Sequence, residues 1–447
     1  MATIPLPAFA GRAVAVLGLG KSGLAAAEAL AASGADVVAW DDSAAARQHA
    51  QAEGLALADL TAADWTQLSA LVMSPGIPLT HPAPHPAAQR AMNAQRPVIG
   101  DIELLAEACP DARFIGITGT NGKSTTTALI GHVLKSAGRR VEVGGNLGTP
   151  ALSLAPLGAD GAYVLELSSY QLDLTQRATV HTAVLLNLSP DHLDRHGDMD
   201  GYVAAKLRLF RERPGATQTA MIGIDDARSR AVAEQLEHDG HWRVVRISSA
   251  DTVAGCDWRN IPTLPGAHNW QNAAAAYAVA RAEGIAPDAI CAALQTYPGL
   301  PHRQELVATI GAIRYVNDSK ATNADATAKA LACYDPIYWI LGGRPKAGGL
   351  AGLEPFYRRV VHAYLIGEAA AAFAQQLESR VPATPCGTLE RALEAAHGQA
   401  QAEQRRGAVV LLSPACASFD QFANFEARGD LFRKLVERLA GASGRAA

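Results

Sequence analysis

The sequence predicts an α/β protein of three domains, each built on a parallel, doubly wound sheet. Strand-like and helix-like stretches alternate along the whole chain, and twice a strand runs straight into a glycine turn that opens a helix. A fresh strand, glycine turn and helix after Gly100 and a cluster of helix-breaking residues near 300 then divide the chain. Its 447 residues also agree with three domains at roughly 100–200 residues each. With 49% hydrophobic and 18% charged residues, the composition is that of a folding chain rather than a disordered one. Lysine and arginine number 39 against 43 for aspartate and glutamate, so no bulk basic field exists for nucleic acid or an anionic membrane. An anionic ligand must be held locally.

The first apolar run, 13–17, enters Gly18, Gly20 and Gly23, and a helix-favouring stretch at 24–32 follows, with Gly34 placed to stop it. A second strand is expected at 36–40. Five prolines fall between Pro75 and Pro86, but the boundary is placed near Gly100, because 113–118 opens a fresh strand, glycine turn and helix. The first domain is therefore 1–100 and the second 101–300. The breakers Tyr297-Pro-Gly-Leu-Pro-His end the second, and 301–447 forms the third, with buried strands expected at 338–341, 363–366 and 409–412. Six cysteines, Cys109, Cys256, Cys291, Cys333, Cys386 and Cys416, lie tens of residues apart without a Cys-x-x-Cys pair, which favours a reduced, cytoplasmic setting. The N-terminus lacks the pattern of a secretory signal, and no stretch approaches the ~20 apolar residues of a membrane span.

The central turn reads Gly116-Ile-Thr-Gly119-Thr120-Asn121-Gly122-Lys123-Ser124-Thr125. Backbone N–H groups of such a turn can face a polyphosphate, the helix N-terminus adds a favourable dipole, lysine neutralises terminal phosphates and serine reaches Mg²⁺. The general pattern wants glycine where this chain has Ile117. Downstream, an apolar strand ends in Glu166, as a second metal ligand of a phosphoryl-transfer site would. His192 and His196 stand at i and i+4, a spacing open to zinc, to one imidazole beside magnesium, or to a solvated turn. Lys206, on an amphipathic stretch, reads locally as a snorkelling surface lysine. Gly18-Leu-Gly20-Lys21-Ser22-Gly23, with Asp41 and Asp42 following, has the form of a dinucleotide fingerprint, although such a turn suits any diphosphate. In the last segment, polar clusters around Arg303, 317–323, 342–346 and 413–425 lie at strand ends, where α/β folds place ligand loops.

Together these residues resemble the ATP-dependent Mur ligases of peptidoglycan synthesis, and among them the members that add D-glutamate to UDP-N-acetylmuramoyl-L-alanine. The runs at 118–125, 165–171, 191–195, 317–323 and 412–418 look like this family's, in its order, and its glycine spacing is the one at 116–122. The resemblance implies an N-terminal Rossmann-like UDP-binding domain, a central P-loop ATPase with a mostly parallel sheet, and a C-terminal Rossmann-like domain that receives the amino acid. It implies ATP, two Mg²⁺ sites and a carbamylated lysine, with D-glutamate and the UDP-sugar as partners, no nucleic acid or membrane, and a monomer.

Residue by residue, it implies that Gly119, Thr120, Asn121, Gly122, Lys123, Ser124, Thr125, Asn269, Asn272, Arg303, Asp318 and Lys320 surround ATP. Ser124 and Glu166 would hold one Mg²⁺, His192 and Lys206, the latter as carbamate, the second. Gly18, Gly20, Lys21, Ser22, Asp42, Ser74, Gly76 and Asn146 would line the UDP-sugar path. Thr322, Lys346, Ser418 and Phe425 would receive glutamate. The alternatives are a related ligase for another amino acid, including an L-glutamate-adding ligase of the folate type, and, from another class, an NAD-dependent dehydrogenase using the first glycine turn.

Overall fold

The computed structural model describes residues 3–346 and 348–443; the outer ends of the first and third expected domains lie outside these residues. Three sheets follow one another along the chain. The first comprises β1 (Ala13–Leu17), β2 (Asp36–Trp40), β3 (Ala70–Met73) and β4 (Val98–Ile99), all parallel, in the order β2-β1-β3-β4. The second comprises β5 (Arg113–Thr118), β6 (Arg140–Gly145), β7 (Gly161–Glu166), β8 (Thr182–Leu185), β9 (Gln218–Gly223) and β10 (Trp242–Ile247), also all parallel, in the order β10-β9-β8-β5-β7-β6. The third comprises β11 (Glu305–Ile310), β12 (Ile313–Asn317), β13 (Ile337–Gly342), β14 (Val360–Ile366), β15 (Ala383–Gly387) and β16 (Val409–Leu412), in the order β11-β12-β16-β13-β14-β15. β3, β7, β8, β13 and β16 are buried throughout, as inner strands covered on both faces must be.

One strand departs from the expected all-parallel pattern. β11 pairs antiparallel with β12 through the two-residue loop Gly311-Ala312, with Gly311 at φ +60°, a conformation that suits a tight hairpin and needs no crossover helix.

The chain divides into two compact units, Met1–Trp258 with Asn269–Thr296, and Arg259–His268 with Tyr297–Ala447. The first unit holds the first two sheets around a shared core that runs from Val14 and Val16 of β1 through Ile102, Leu104 and Leu105 to Phe114 of β5 and Tyr163 of β7. The helix Asp101–Ala108 braces them. The buried Glu103 carboxylate on it accepts the backbone N–H groups of Gln176, Arg177 and Ala178 at 2.9, 2.8 and 3.1 Å, and Gly100 N–H donates to the Leu174 carbonyl at 3.2 Å. In the second unit, β13 sends Trp339 and Leu341 into one core and Tyr338 and Ile340 into the other, by the two-residue period of a strand.

Cys256 and Cys291 are joined as a disulfide, with Cα atoms 5.2 Å apart, which the reduced reading of six separated cysteines did not anticipate. Partners 35 residues apart leave no local spacing to read. Among the described residues, no helix is long and apolar enough to cross a membrane.

Candidate active site

β5 lies between β8 and β7, so the chain leaves the sheet in opposite directions on its two sides, the place where open α/β sheets bind ligands at their carboxyl ends. The turn after β5 begins at Gly119, φ +143°, and closes at Gly122, φ +87°, ahead of the helix Lys123–Ser136. A Cβ on Gly122 would come 2.4 Å from Asn272 Oδ1, so both space and backbone require glycine. Asn187, from the segment after β8, clamps the turn. Its carbonyl accepts Thr120 N–H at 2.9 Å, its Oδ1 accepts Asn121 N–H at 2.9 Å and its Nδ2 donates to the Asn121 carbonyl at 3.1 Å. Sequence reasoning missed Asn187, although its place just past a buried strand was a usable signal. Asn272 accepts from Thr126 Oγ1 at 3.1 Å and donates to Asn269 Oδ1 at 3.0 Å, which brings both asparagines of the helix Ala267–Ala282 to the turn. Lys123 folds back, its Nζ donating to the carbonyls of Gly119 and Thr120, each at 2.9 Å.

Glu166 ends β7, beside β5, and is buried. Its Oε1 accepts Asn146 Nδ2 at 2.7 Å, whereas its Oε2 has no hydrogen-bond partner. A buried carboxylate oxygen left open is a place where a cation can bind.

Lys206 corrects the snorkelling reading. It is 1% exposed, its Nζ donates to the Gly119 carbonyl at 2.9 Å and to Thr118 Oγ1 at 3.3 Å, and it stands 4.6 Å over the Tyr202 ring. Burial, then the Lys123 charge, lowers its pKa to about 7.

The paired-histidine spacing also resolves differently. The helix there is one turn, Leu193–His196, and His192 precedes it at φ +54°; both rings lie against Tyr170, with centroids at 4.9 and 5.5 Å. His196 is buried with Nε2 2.9 Å from Ser169 Oγ and Nδ1 3.5 Å from Asp173 Oδ2, which uses both nitrogens and removes it from a zinc pair. His192 stays near the phosphate turn, its pKa lowered by burial and then, against the pull of Asp191, by Lys123 and Lys206. Among the described residues no three His, Cys, Asp or Glu side chains form a metal cage.

The first sheet repeats the switch, with β1 between β2 and β3. Gly18, φ +89°, is packed so closely that a Cβ would meet Ser74 Cβ at 2.7 Å, and one on Gly23 would lie 1.7 Å from the Gly18 carbonyl oxygen. Ser74 Oγ donates to that carbonyl at 2.9 Å, and Asp41 Oδ2 accepts Leu19 N–H at 2.6 Å. Gly20 caps the helix Lys21–Ala32, which begins with Lys21 and Ser22. Asp42 is exposed and pairs with His85 at 3.2 Å.

In the second unit, the loops after β12, β13 and β16 gather at one end of the third sheet. Arg428, from the helix Phe425–Ser443, holds them together although sequence reasoning passed over it. Fully buried, it donates to Ser319 Oγ at 3.0 Å and to the carbonyls of Ser319, Cys416 and Ala417 at 2.9, 3.2 and 3.4 Å, and burial lowers its pKa to about 10. Asp318, buried, accepts Ser413 Oγ at 2.8 Å and Gln304 N–H at 3.1 Å, and burial lifts its pKa to about 7. Lys320 stands 5.5 Å over the Phe425 ring. Ser418 is buried, Thr322 half-buried and Lys346 exposed. Arg303 follows His302, which is held at φ +61°.

Two family models match the chain: the Mur ligase MurD-like N-terminal domain over residues 12–100 and the Mur ligase middle domain over 117–280. A UDP-N-acetylmuramoylalanine--D-glutamate ligase of Paramagnetospirillum magneticum is 53% identical over 97% of this chain and 98% of its own length. One of Rhodospirillum rubrum is 53% identical over 98% and 97%. Among solved structures, the UDP-N-acetylmuramate-alanine ligase of Thermotoga maritima shares the fold with a TM-score of 0.58 at 17% identity, covering 96% of this chain and 99% of that one. The folylpolyglutamate synthase of Mycobacterium tuberculosis, complexed with ADP, does so at 0.54 and 16%, covering 74% and 92%. With matched domains, a shared fold and relatives identical at half their positions, the chain belongs to the Mur ligase family.

Proposed function

We propose that this protein is an ATP-dependent ligase that forms an amide bond between the L-alanine carboxylate of UDP-N-acetylmuramoyl-L-alanine and the amine of D-glutamate. The relatives' names support the substrates. The observation that carries the chemistry is the ring of charge around the phosphate turn: Lys123 over its carbonyls, Lys206 buried beneath it, and Glu166 with one buried oxygen unpartnered.

Magnesium takes oxygen ligands and commonly needs only one or two protein groups beside phosphate and water. Glu166 Oε2 and the Ser124 hydroxyl fit that demand, and we assign them to one ion. Bound there, the ion would supply screening of the polyphosphate's negative charge. We assign a second ion to His192 and Lys206. The Lys206 amine, neutral, would add to CO₂ and lose a proton, giving a carbamate that presents oxygens where an ammonium presents none.

The turn 119–122 and Lys123 would hold the β- and γ-phosphates, with Thr125, Asn269 and Asn272 supporting the turn and the nucleotide. The alanine carboxylate attacks the γ-phosphorus, ADP leaves, and an acyl phosphate forms. The glutamate amine attacks its carbonyl carbon, phosphate leaves the tetrahedral intermediate, and the nitrogen gives up a proton. The glycine turn 18–23 with Lys21 and Ser22 would hold the UDP diphosphate, and Asp42, Ser74, Gly76 and Asn146 the rest of that path. In the second unit, we assign Arg303, Asp318 and Lys320 to ATP and the transferring phosphoryl group, and Thr322, Lys346, Ser418 and Phe425 to glutamate. We place the work in the cytoplasm, where ATP is supplied.

The test is phosphate release from ATP by the purified protein. It should require UDP-N-acetylmuramoyl-L-alanine and D-glutamate together. Equal turnover with L-glutamate would remove the stereochemical assignment, and NADH formation from a 2-hydroxy acid would favour a dehydrogenase.

A further inference from the structure

Between the two glycine turns of the first unit runs a connection that none of the assigned residues makes. Arg195, on the one-turn helix Leu193–His196, reaches out of the central sheet's loops to the segment after β3. Its Nη1 donates to the Gly76 carbonyl at 2.7 Å, and its Nη2 to the carbonyls of Ile77 and Pro75 at 2.9 and 3.4 Å. The guanidinium lies 4.5 Å over the Tyr170 ring, so it is held from behind as well. Two residues on, Gly197 at φ +81° packs against the same proline-rich segment, where a Cβ would stand 3.2 Å from His81 Nε2. On its other side the segment is tied to the first glycine turn by Ser74 Oγ on the Gly18 carbonyl at 2.9 Å.

We propose that Arg195 is a positioning residue for the nucleotide-sugar substrate, acting through the loop 74–77 rather than by touching the reacting atoms. Three carbonyls converge on one guanidinium, which screens their negative ends in a loop tied to the turn assigned to the diphosphate. The planar fork can engage them together, which a lysine ammonium cannot do in the same geometry. Because His192 stands three residues before Arg195, the same contact sets the distance between the sugar loop and the catalytic turn. The inference rests on the proposed ligase function, since it assigns Arg195 to the binding of that reaction's UDP-sugar.

The experiment measures calorimetric binding of UDP-N-acetylmuramoyl-L-alanine and the three KM values for the wild-type protein, R195M and R195K. Losing charge-assisted hydrogen bonds should raise the nucleotide-sugar KM and Kd of R195M by about ten- to a hundredfold. The KM values for ATP and D-glutamate should stay within about twofold, and R195K should recover part of the loss. Wild-type affinity for the UDP-sugar in R195M overturns the inference. So does an equal rise in all three KM values with no recovery in R195K, the mark of general damage. If R195M does not fold, R195K carries the test alone: a nucleotide-sugar KM equal to the wild type's overturns the inference, and a selective rise supports it. A wild-type protein that neither binds nor uses the UDP-sugar would instead refute the ligase reading.

Discussion

The two glycine turns of the first unit share a backbone plan and differ in what stands behind it. Each follows an inner strand flanked on both sides, each opens a helix, and each is touched by the segment after a neighbouring strand: Ser74 on Gly18, Asn187 on the turn 119–122. Behind the first turn the supports are a hydroxyl and the Asp41 carboxylate, and Lys21 is exposed. Behind the second are the side chains of Lys123 and Lys206 and a buried carboxylate with an open oxygen. On the proposed function, the glycines set the shape that holds phosphate at both turns, and the charges at the strand ends of the second are what transfer requires in addition.

The strongest way to break that comparison is to strip the second turn of its distinguishing charge. K206A should lower turnover by about a thousandfold or more, on the scale of losing an electrostatic group at the reacting centre. On the proposed carbamate at Lys206, a carboxylate on a tether, acetate or another short carboxylic acid should restore part of the rate. Full activity without rescue, measured as phosphate release, would show Lys206 to be structural filling and reduce the two turns to equivalents.

A finer probe exchanges shape instead of charge. G122A puts a methyl group into a left-handed position 2.4 Å from Asn272 Oδ1, and G18A puts one 2.7 Å from Ser74. Each should cost its own ligand about tenfold or more in KM, ATP for G122A and the UDP-sugar for G18A, with the other ligand changed less than about twofold. Crossed effects would mean that the turns act as one site.

How far the sequence could be read follows the same division between local and distant causes. The strand, glycine turn and helix at 113–136 were legible because phosphate turns are written in consecutive residues, and Glu166 because a strand end is. Lys206 was misread locally because its helix looks amphipathic, and only the packing of Tyr202 and the turn over it buries the amine. The i, i+4 histidine spacing left zinc, magnesium and a solvated turn open, because only the distant Ser169 and Asp173 take up the His196 nitrogens. Asn187, Arg195 and Arg428 act through backbone carbonyls or amides of other segments, so even where a residue stands in a legible run, as Arg195 does, its partners cannot be read from it. The antiparallel β11 was hidden because a two-residue turn such as Gly311-Ala312 changes the direction of a strand without changing its composition.

Asp101 joins the two regions, and its effect should be the smallest. It begins the helix that braces the first sheet against the second, is 3% exposed, and neither carboxylate oxygen has a hydrogen-bond partner. Burial lifts its pKa from 3.8 to about 6, partly opposed by the nearby side chains of Gln171, from the central sheet's loops, and Ser22, from the first turn's helix. The sign follows from linkage. Below 3.8 the carboxyl is protonated whether the chain is folded or not; between 3.8 and about 6 the folded form holds the proton more tightly, so stability falls as pH rises; above about 6 the cost is complete. D101N removes the charge, and relative to the wild type it should gain about 1–3 kcal/mol in unfolding free energy between about pH 4 and pH 8. Burying an amide without partners shifts the whole curve by a constant, so the slope of the difference, read from urea unfolding at several pH values, is the quantity that decides. A flat difference would show that Asp101 is solvated or paired in solution, and that the brace between the two turns carries no buried charge.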